Sequence, residues 1–222
     1  MQKMERDSVV VQLGVAPAYE KAQAYFIIKR VIDIIGSLVG IFLLGPVMIV
    51  VGIWVKLDSK GPIFFRQERV GQEGKKFKMY KFRSMCSDAE DLLHKLQDRN
   101  QMAGPMFKLK DDPRVTKIGR FIRKTSLDEL PQLFNIIKGE MSLVGPRPSL
   151  PKEVAQFTSF QKQRLVAKPG LTCYWQVGGR SNTSFEEWME MDVEYIEERN
   201  TWIDITLIFK TVGVLFGDEG AR

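Results

Sequence analysis

Two adjacent carboxylates, Asp128 and Glu129, stand in the otherwise uncharged run 126–132, directly after a strongly basic segment at 117–124. A second marked stretch follows closely, Ser142-Leu143-Val144-Gly145-Pro146-Arg147-Pro148. An acidic centre held beside cations suits chemistry on phosphates. A carboxylate can attack phosphorus or hold a metal, and Arg or Lys can neutralise the oxygens. The flanking prolines make the turn around Arg147 rigid, which leaves its guanidinium little entropy to lose on bidentate phosphate contact.

Each feature also has a purely structural explanation. Ser126 and Glu129 match a capping box, with Asp128 assisting the helix dipole. However, with Ser126 as N-cap, Pro131 falls at the fifth helical position and clashes with the preceding turn. A helix starting nearer Asp128 tolerates Pro131 better and leaves both carboxylates exposed at its mouth. Arg147 can equally sit in a plain structural turn.

The elements that must position these groups are legible in part. Residues 63–70 and 75–85 flank Gly71-Gln72-Glu73-Gly74 and read as a β-hairpin. On its second strand Lys81 and Arg83 share a face at period two, as a phosphate clamp or as a solvated basic surface. Residues 87–100, 115–124, 152–167 and 184–199 read as helices, the last opening on a Ser184/Glu187 capping box. Residues 202–216 are apolar but broken by Asp204 and Lys210, which suits a helix lying in a membrane interface.

From 34 to 55 the chain carries no charge for 22 residues, the length that spans a bilayer core. Both flanks are basic, with Lys29-Arg30 before and Lys56 after, and Gly45-Pro46 falls near the middle. A single span would put one basic end on the wrong side, whereas a broken helix entering and leaving by one face satisfies both observations. These residues leave a kinked span and a hairpin both open. Asp33 is expected to pair with Lys29 or Arg30. Residues 1–24 read as a polar leader.

The totals restrict the function classes. With 33 Lys+Arg against 27 Asp+Glu, the net charge of +6 suits nucleic acid, anionic lipid or phosphorylated substrates. The two cysteines, Cys86 and Cys173, form no CxxC pair and give neither a zinc signature nor a disulfide framework. The one histidine, His94, sits among Glu90, Asp91 and Lys95 as a solvated helix residue.

These residues resemble the bacterial sugar transferases that are monotopic polyprenyl-phosphate phosphoglycosyl transferases. The resemblance covers residues 25–216. It is carried by Lys29-Arg30-Val31-Ile32-Asp33, Gly61-Pro62-Ile63-Phe64, Tyr80-Lys81-Phe82-Arg83-Ser84-Met85, residues 125–132, Lys138-Gly139-Glu140-Met141-Ser142, Gly145 to Pro148, Lys168-Pro169-Gly170-Leu171-Thr172 and Gly179-Arg180. It implies an α+β, mainly helical fold with three parts: a re-entrant membrane helix hairpin at 25–58, a small antiparallel β-hairpin, and amphipathic interfacial helices in a cytoplasmic catalytic domain at 59–222. Gly45-Pro46 replaces the Ser-Pro break of some members, which removes a hydroxyl that could satisfy a freed carbonyl.

The resemblance further implies that Asp128 and Glu129 are catalytic. Asp128 is the nucleophile and lies near a magnesium ion, and Arg123 and Arg147 serve substrate phosphates. Lys81, Arg83 and Arg180 are further candidate substrate contacts. The implied reaction moves a sugar phosphate from a UDP-sugar to undecaprenyl phosphate, releasing UMP, at the cytoplasmic face of a bacterial inner membrane. The expected partners are those two substrates and membrane lipid, with a homodimer allowed and no nucleic acid. The competing expectations are a membrane-anchored basic scaffold without chemistry, and a single-displacement transferase in which Asp128 only holds metal.

Overall fold

The computed structural model describes residues 23–217, apart from 97, 99, 101–106, 108, 110 and 179–182. Most of the expected leader at 1–24 and Arg180 lie outside the described residues. The uncharged run sits inside one 36-residue helix, α1 (Gln23–Asp58), which contains Pro46 and would measure about 54 Å if straight. By length and composition α1 could cross a membrane. Its middle is apolar on the outside, with Phe42 83% and Leu43 64% exposed.

The three charged residues near the start of α1 tie it to the rest of the fold. Lys29 pairs with Asp204 at 2.9 Å and donates to Val144 O at 2.9 Å. Arg30 donates to Ile136 O and Ile137 O, both at 2.7 Å. Asp33 is buried and accepts from Ser142 Oγ at 2.9 Å and Leu143 N at 2.8 Å. The expected pairing of Asp33 with Lys29 or Arg30 is therefore replaced. Both cations have better partners in carbonyls and in Asp204, and Asp33 satisfies donors that would otherwise be buried unpaired.

The hairpin forms as expected, with β1 (Phe64–Val70) antiparallel to β2 (Lys76–Phe82) across a 3-10 turn at Gln72–Gly74. Phe77 and Met79 on β2 pack against Leu133, Ile136 and Met141, while Phe82 joins Val51, Val55 and Ile122. Then come α2 (Ala89–Leu96), on which His94 is exposed, and α3 (Lys117–Lys124), started by Thr116 Oγ1 accepting from Gly119 N. The helix α4 (Gln132–Lys138) begins after Pro131, where the missing N–H costs nothing, and ends at Gly139 with φ 84°.

A second sheet, not expected, pairs β3 (Ser142–Val144) in parallel with β4 (Gly170–Thr172). The two strands are drawn so close that a methyl at Gly145 would run into Lys168 O, and one at Gly170 into the backbone of Gly145. The expected single helix at 152–167 is instead three short pieces: α5 (Pro151–Val154), α6 (Ser159–Lys162) and a 3-10 turn at Gln163–Val166. Thr158 breaks the run, because it takes an extended backbone and caps α6 through Gln161.

After α7 (Tyr174–Gly178) comes α8 (Phe185–Glu198), which opens on the anticipated Ser184/Glu187 capping box. The chain's last described element is α9 (Thr201–Gly217). The fold is mainly helical, with a small antiparallel two-stranded sheet and one long apolar N-terminal helix.

Candidate active site

Asp128 and Glu129 lie on a 3-10 turn, Leu127–Glu129, wedged between α3 and α4. Ser126 takes the left-handed conformation, φ 56°, and its side chain caps nothing. The chain therefore reverses after α3 instead of starting a helix there. This corrects the expectation of a helix starting near Asp128 with exposed carboxylates at its mouth. Asp128 is only 7% exposed, and Leu127 and Leu130 beside it pack inward.

Three elements bring cations to this turn. Lys81, at the end of β2, donates to Glu129 Oε1 at 2.7 Å and stands 3.8 Å from Asp128 Oδ2. The buried Asn135 sets that register. Its Oδ1 accepts from Tyr80 N at 3.0 Å, and its Nδ2 donates to Lys78 O at 2.8 Å and Glu140 Oε2 at 2.6 Å, locking β2 to α4. Arg147, presented by the Pro146–Pro148 loop after β3, donates to Glu129 Oε1 at 2.8 Å. Arg123, in the last turn of α3, is exposed and has no ion pair among the described residues, yet its charge favours the ionised form of Asp128.

The neighbouring carboxylates are thus in opposite electrostatic states. Burial pushes the Asp128 carboxyl above the usual range, and the charge of Glu129 adds to this, against the opposing pull of Lys81 and Arg123. Burial works on Glu129 in the same direction, but Arg147 and Lys81 overcome it and hold Glu129 well below the usual range. Glu129 in turn pushes Arg147 further up. Glu129 is therefore a fixed anion that binds two cations. Asp128 accepts no hydrogen bond among the described residues.

Of the residues expected from sequence, Lys81, Arg123, Asp128, Glu129 and Arg147 come together. Arg83 does not. It lies past the end of β2, is 6% exposed, and donates to Pro62 O at 2.5 Å, Ser59 O at 2.6 Å and Val55 O at 3.1 Å. It closes the C-terminal end of α1, because a guanidinium fork serves several orphan carbonyls at once. Period-two spacing gave it the same face as Lys81, but the strand ends at Phe82.

Sequence reasoning missed Asn135 and Gln176. Turned so that both ends are satisfied, the Gln176 amide accepts from Arg147 Nη1 and donates to Leu171 O, each at 3.1 Å. Neither residue carries a charge or sits in a distinctive spacing, so no local signal marks it.

Among the described residues no group of three or more His, Cys, Asp or Glu could hold a metal ion. The oxygen of Asp128 that Lys81 leaves free suits a hard cation bound mainly by substrate phosphates and water, as magnesium is.

The bacterial sugar transferase family matches residues 24–218 of this chain. The galactosyl transferase CpsE of Streptococcus agalactiae is 49% identical over 90% of this chain and 44% of its own length. The undecaprenyl-phosphate galactose phosphotransferase of Salmonella typhimurium is 43% identical over 87% of this chain and 41% of its own. The exopolysaccharide production protein ExoY of Sinorhizobium fredii is 38% identical over 87% of both. The chain thus spans less than half the length of the first two relatives and most of the third. With a family match across nearly every described residue, including the carboxylate turn and the Arg147 loop, the chain belongs to the bacterial sugar transferases.

Proposed function

We propose that this chain transfers a sugar phosphate from a UDP-sugar to undecaprenyl phosphate, releasing UMP, with Asp128 as a covalent nucleophile. The observation that carries this reading is the state of Asp128. It is buried, accepts no hydrogen bond among the described residues, and faces Lys81 and Arg123, while its neighbour Glu129 is paired with Lys81 and Arg147.

Arg147 and Arg123 take the diphosphate oxygens and align the β-phosphorus with Asp128. An Asp128 oxygen attacks that phosphorus, the bond to the bridging oxygen breaks, and UMP leaves with the electron pair. A phosphate oxygen of the acceptor then attacks the same phosphorus, and the Asp128 carboxylate is freed with its electron pair. Lys81 favours the ionised form of Asp128 before the attack and again once the carboxylate is freed. A magnesium ion held by Asp128 and the substrate phosphates would supply neutralisation of the diphosphate charge that otherwise repels a carboxylate.

The acceptor fits an apolar groove of about 340 Å³ lined by Pro46, Val47, Val50, Trp54, Phe121 and Leu127. Leu127 directly precedes Asp128, and Arg123 and Lys124 lie between Phe121 and Leu127. A lipid tail in the groove therefore has its anionic head at the cations. The two halves of α1 both pack on the same polar domain, through Asp33 and Ser37 at one end and Val51 and Val55 at the other. That supports a re-entrant membrane element at 25–58 with the catalytic part, from 59 on, at one membrane face. Trp202 and Phe209, 75% and 72% exposed, suit an interfacial α9 beside it. The basic flanks favour the cytoplasmic side of the inner membrane.

The test is UMP release from a panel of UDP-sugars with magnesium, with and without undecaprenyl phosphate, led by UDP-galactose because three relatives above 40% identity carry galactose names. Release from one sugar, coupled to lipid-linked product and lost in Asp128→Asn, is the expected result. No release from any UDP-sugar by folded protein in lipid would overturn the reading.

A further inference from the structure

The loop that carries Arg147 is held by two arginines, the buried Arg164 and the half-buried Arg69, that the reaction itself does not use. Arg164, on the 3-10 turn Gln163–Val166, is 3% exposed. Its Nη2 donates to Arg147 O at 2.6 Å and its Nη1 to Ser149 Oγ at 2.5 Å. The same Nη2 stands 2.7 Å from Asp192 Oδ2 on α8, itself 1% exposed. The Phe157 and Trp188 rings lie 5.7 and 5.3 Å from the guanidinium carbon. From the other side, Arg69 on β1 donates to Pro148 O at 3.1 Å.

A buried ion pair is a poor way to hold α8 to the core, since well-packed apolar residues usually do so at least as well. Burial pushes the Asp192 carboxyl up to about 6 even with Arg164 beside it, so this pair is maintained against a desolvation cost. Apolar residues could not, however, grip the Arg147 loop at one main-chain carbonyl, that of Arg147, and one hydroxyl, that of Ser149, while leaving the Arg147 side chain free to face Glu129. A lysine could not either, because it offers a single nitrogen where the fork offers two.

We infer that Arg164, oriented by Asp192, is a positioning residue for donor binding: it fixes the backbone of Arg147 so that the Arg147 guanidinium is held at the carboxylate turn, ready for the diphosphate. This rests on the proposed role of Arg147 with a phosphate donor. Arg164 touches no substrate and acts only through the loop.

A double-mutant cycle tests this, using the full chain in lipid nanodiscs. Donor kcat/KM is measured from UMP release for wild type, Arg164→Lys, Arg147→Ala and the double variant, with melting temperatures alongside. In the wild-type background Arg164→Lys should lower donor kcat/KM by roughly ten- to a hundredfold, mainly through KM, because misplacement of a binding group by about 1 Å has effects on that scale. In the Arg147→Ala background the same change should cost less than about twofold, because the group it positions is gone. Asp192→Asn, which keeps the side chain's shape, should follow the same pattern more weakly and serves as the measured arm if Arg164→Lys fails to fold.

Equal losses in both backgrounds would overturn the inference and make Arg164 a general stabiliser. Native donor kcat/KM in a folded Arg164→Lys protein would overturn it as well. Wild-type protein that releases no UMP from any UDP-sugar would instead remove the phosphate-donor reading and this inference with it.

Discussion

Two of the buried clusters that mix carboxylates with cations among the described residues differ in what is left over. In the first, at the junction of α1, α8 and α9, Asp204 accepts from Tyr25 and Lys29 on one oxygen, at 3.0 and 2.9 Å, and from Tyr195 on the other, at 2.8 Å. Lys29 spends its remaining donors on Val144 O and Tyr195. In the second, at the carboxylate turn, Glu129 binds Lys81 and Arg147, whereas Asp128 accepts no hydrogen bond and Arg123 has no ion pair among the described residues. The first cluster is closed, and its chemistry is consumed in holding three helices together. The second keeps one acceptor and one cation in reserve, which is what a site needs to bind and attack a charged substrate.

This contrast can be broken by substitution. Asp128→Asn should abolish the donor half-reaction, by on the order of 10⁶-fold, judged by the loss of a covalent nucleophile elsewhere. The same variant should melt no lower than wild type in neutral buffer. The Asp128 carboxyl is raised by burial, so its contribution to stability is complete below its unfolded pKa and is lost as pH rises through the folded one. The advantage of the asparagine should accordingly shrink as the pH is lowered. A variant that melts clearly lower at neutral pH would mean that Asp128 is structurally paired after all.

Asp204→Asn should do the reverse. It leaves Lys29 buried without its counter-charge and should cost about 3–5 kcal/mol in denaturant unfolding, with turnover per folded molecule retained. Glu129→Gln falls between the two. Glu129 is held below its ordinary range, so its contribution is present above the unfolded pKa and lost as pH falls through the folded one. The substitution should therefore lower both melting temperature and donor affinity at neutral pH, and its effect on melting should fade in acid. The smallest effect is expected at Arg83. Arg83→Lys should cost about 1–3 kcal/mol through unmet carbonyls and leave donor kcat/KM within about twofold. A hundredfold loss there would return Arg83 to the site.

The sequence reading recovered what local chemistry announces. The hairpin was marked by Gly71 and Gly74, the start of α8 by Ser184 and Glu187, and the cationic company of Asp128 by Arg123 and Arg147. It failed where the answer depended on which groups meet across the fold. Asp33 gives no sign in sequence that its donors are Ser142 and Leu143, more than a hundred residues away. The capping pattern at Ser126 was genuine in composition and empty in structure, because Ser126 is used to reverse the chain. Lys81 and Arg83 looked equivalent by spacing, yet β2 stops between them, so one faces the carboxylates and the other the end of α1. The parallel pairing of β3 with β4 had no local signal, since three-residue strands carry almost no periodicity.

The central claim is that Asp128 is in reserve as a nucleophile. It is tested most directly by the mass of the intact protein after incubation with magnesium and the active UDP-sugar in the absence of any lipid acceptor. The account expects one UMP released per protein molecule and a matching mass increase of one sugar phosphate, localised to Asp128 by peptide mapping and discharged when undecaprenyl phosphate is added. UMP release that occurs only when the lipid is present, with no mass increase at any time, would contradict it and leave Asp128 with a role in binding alone.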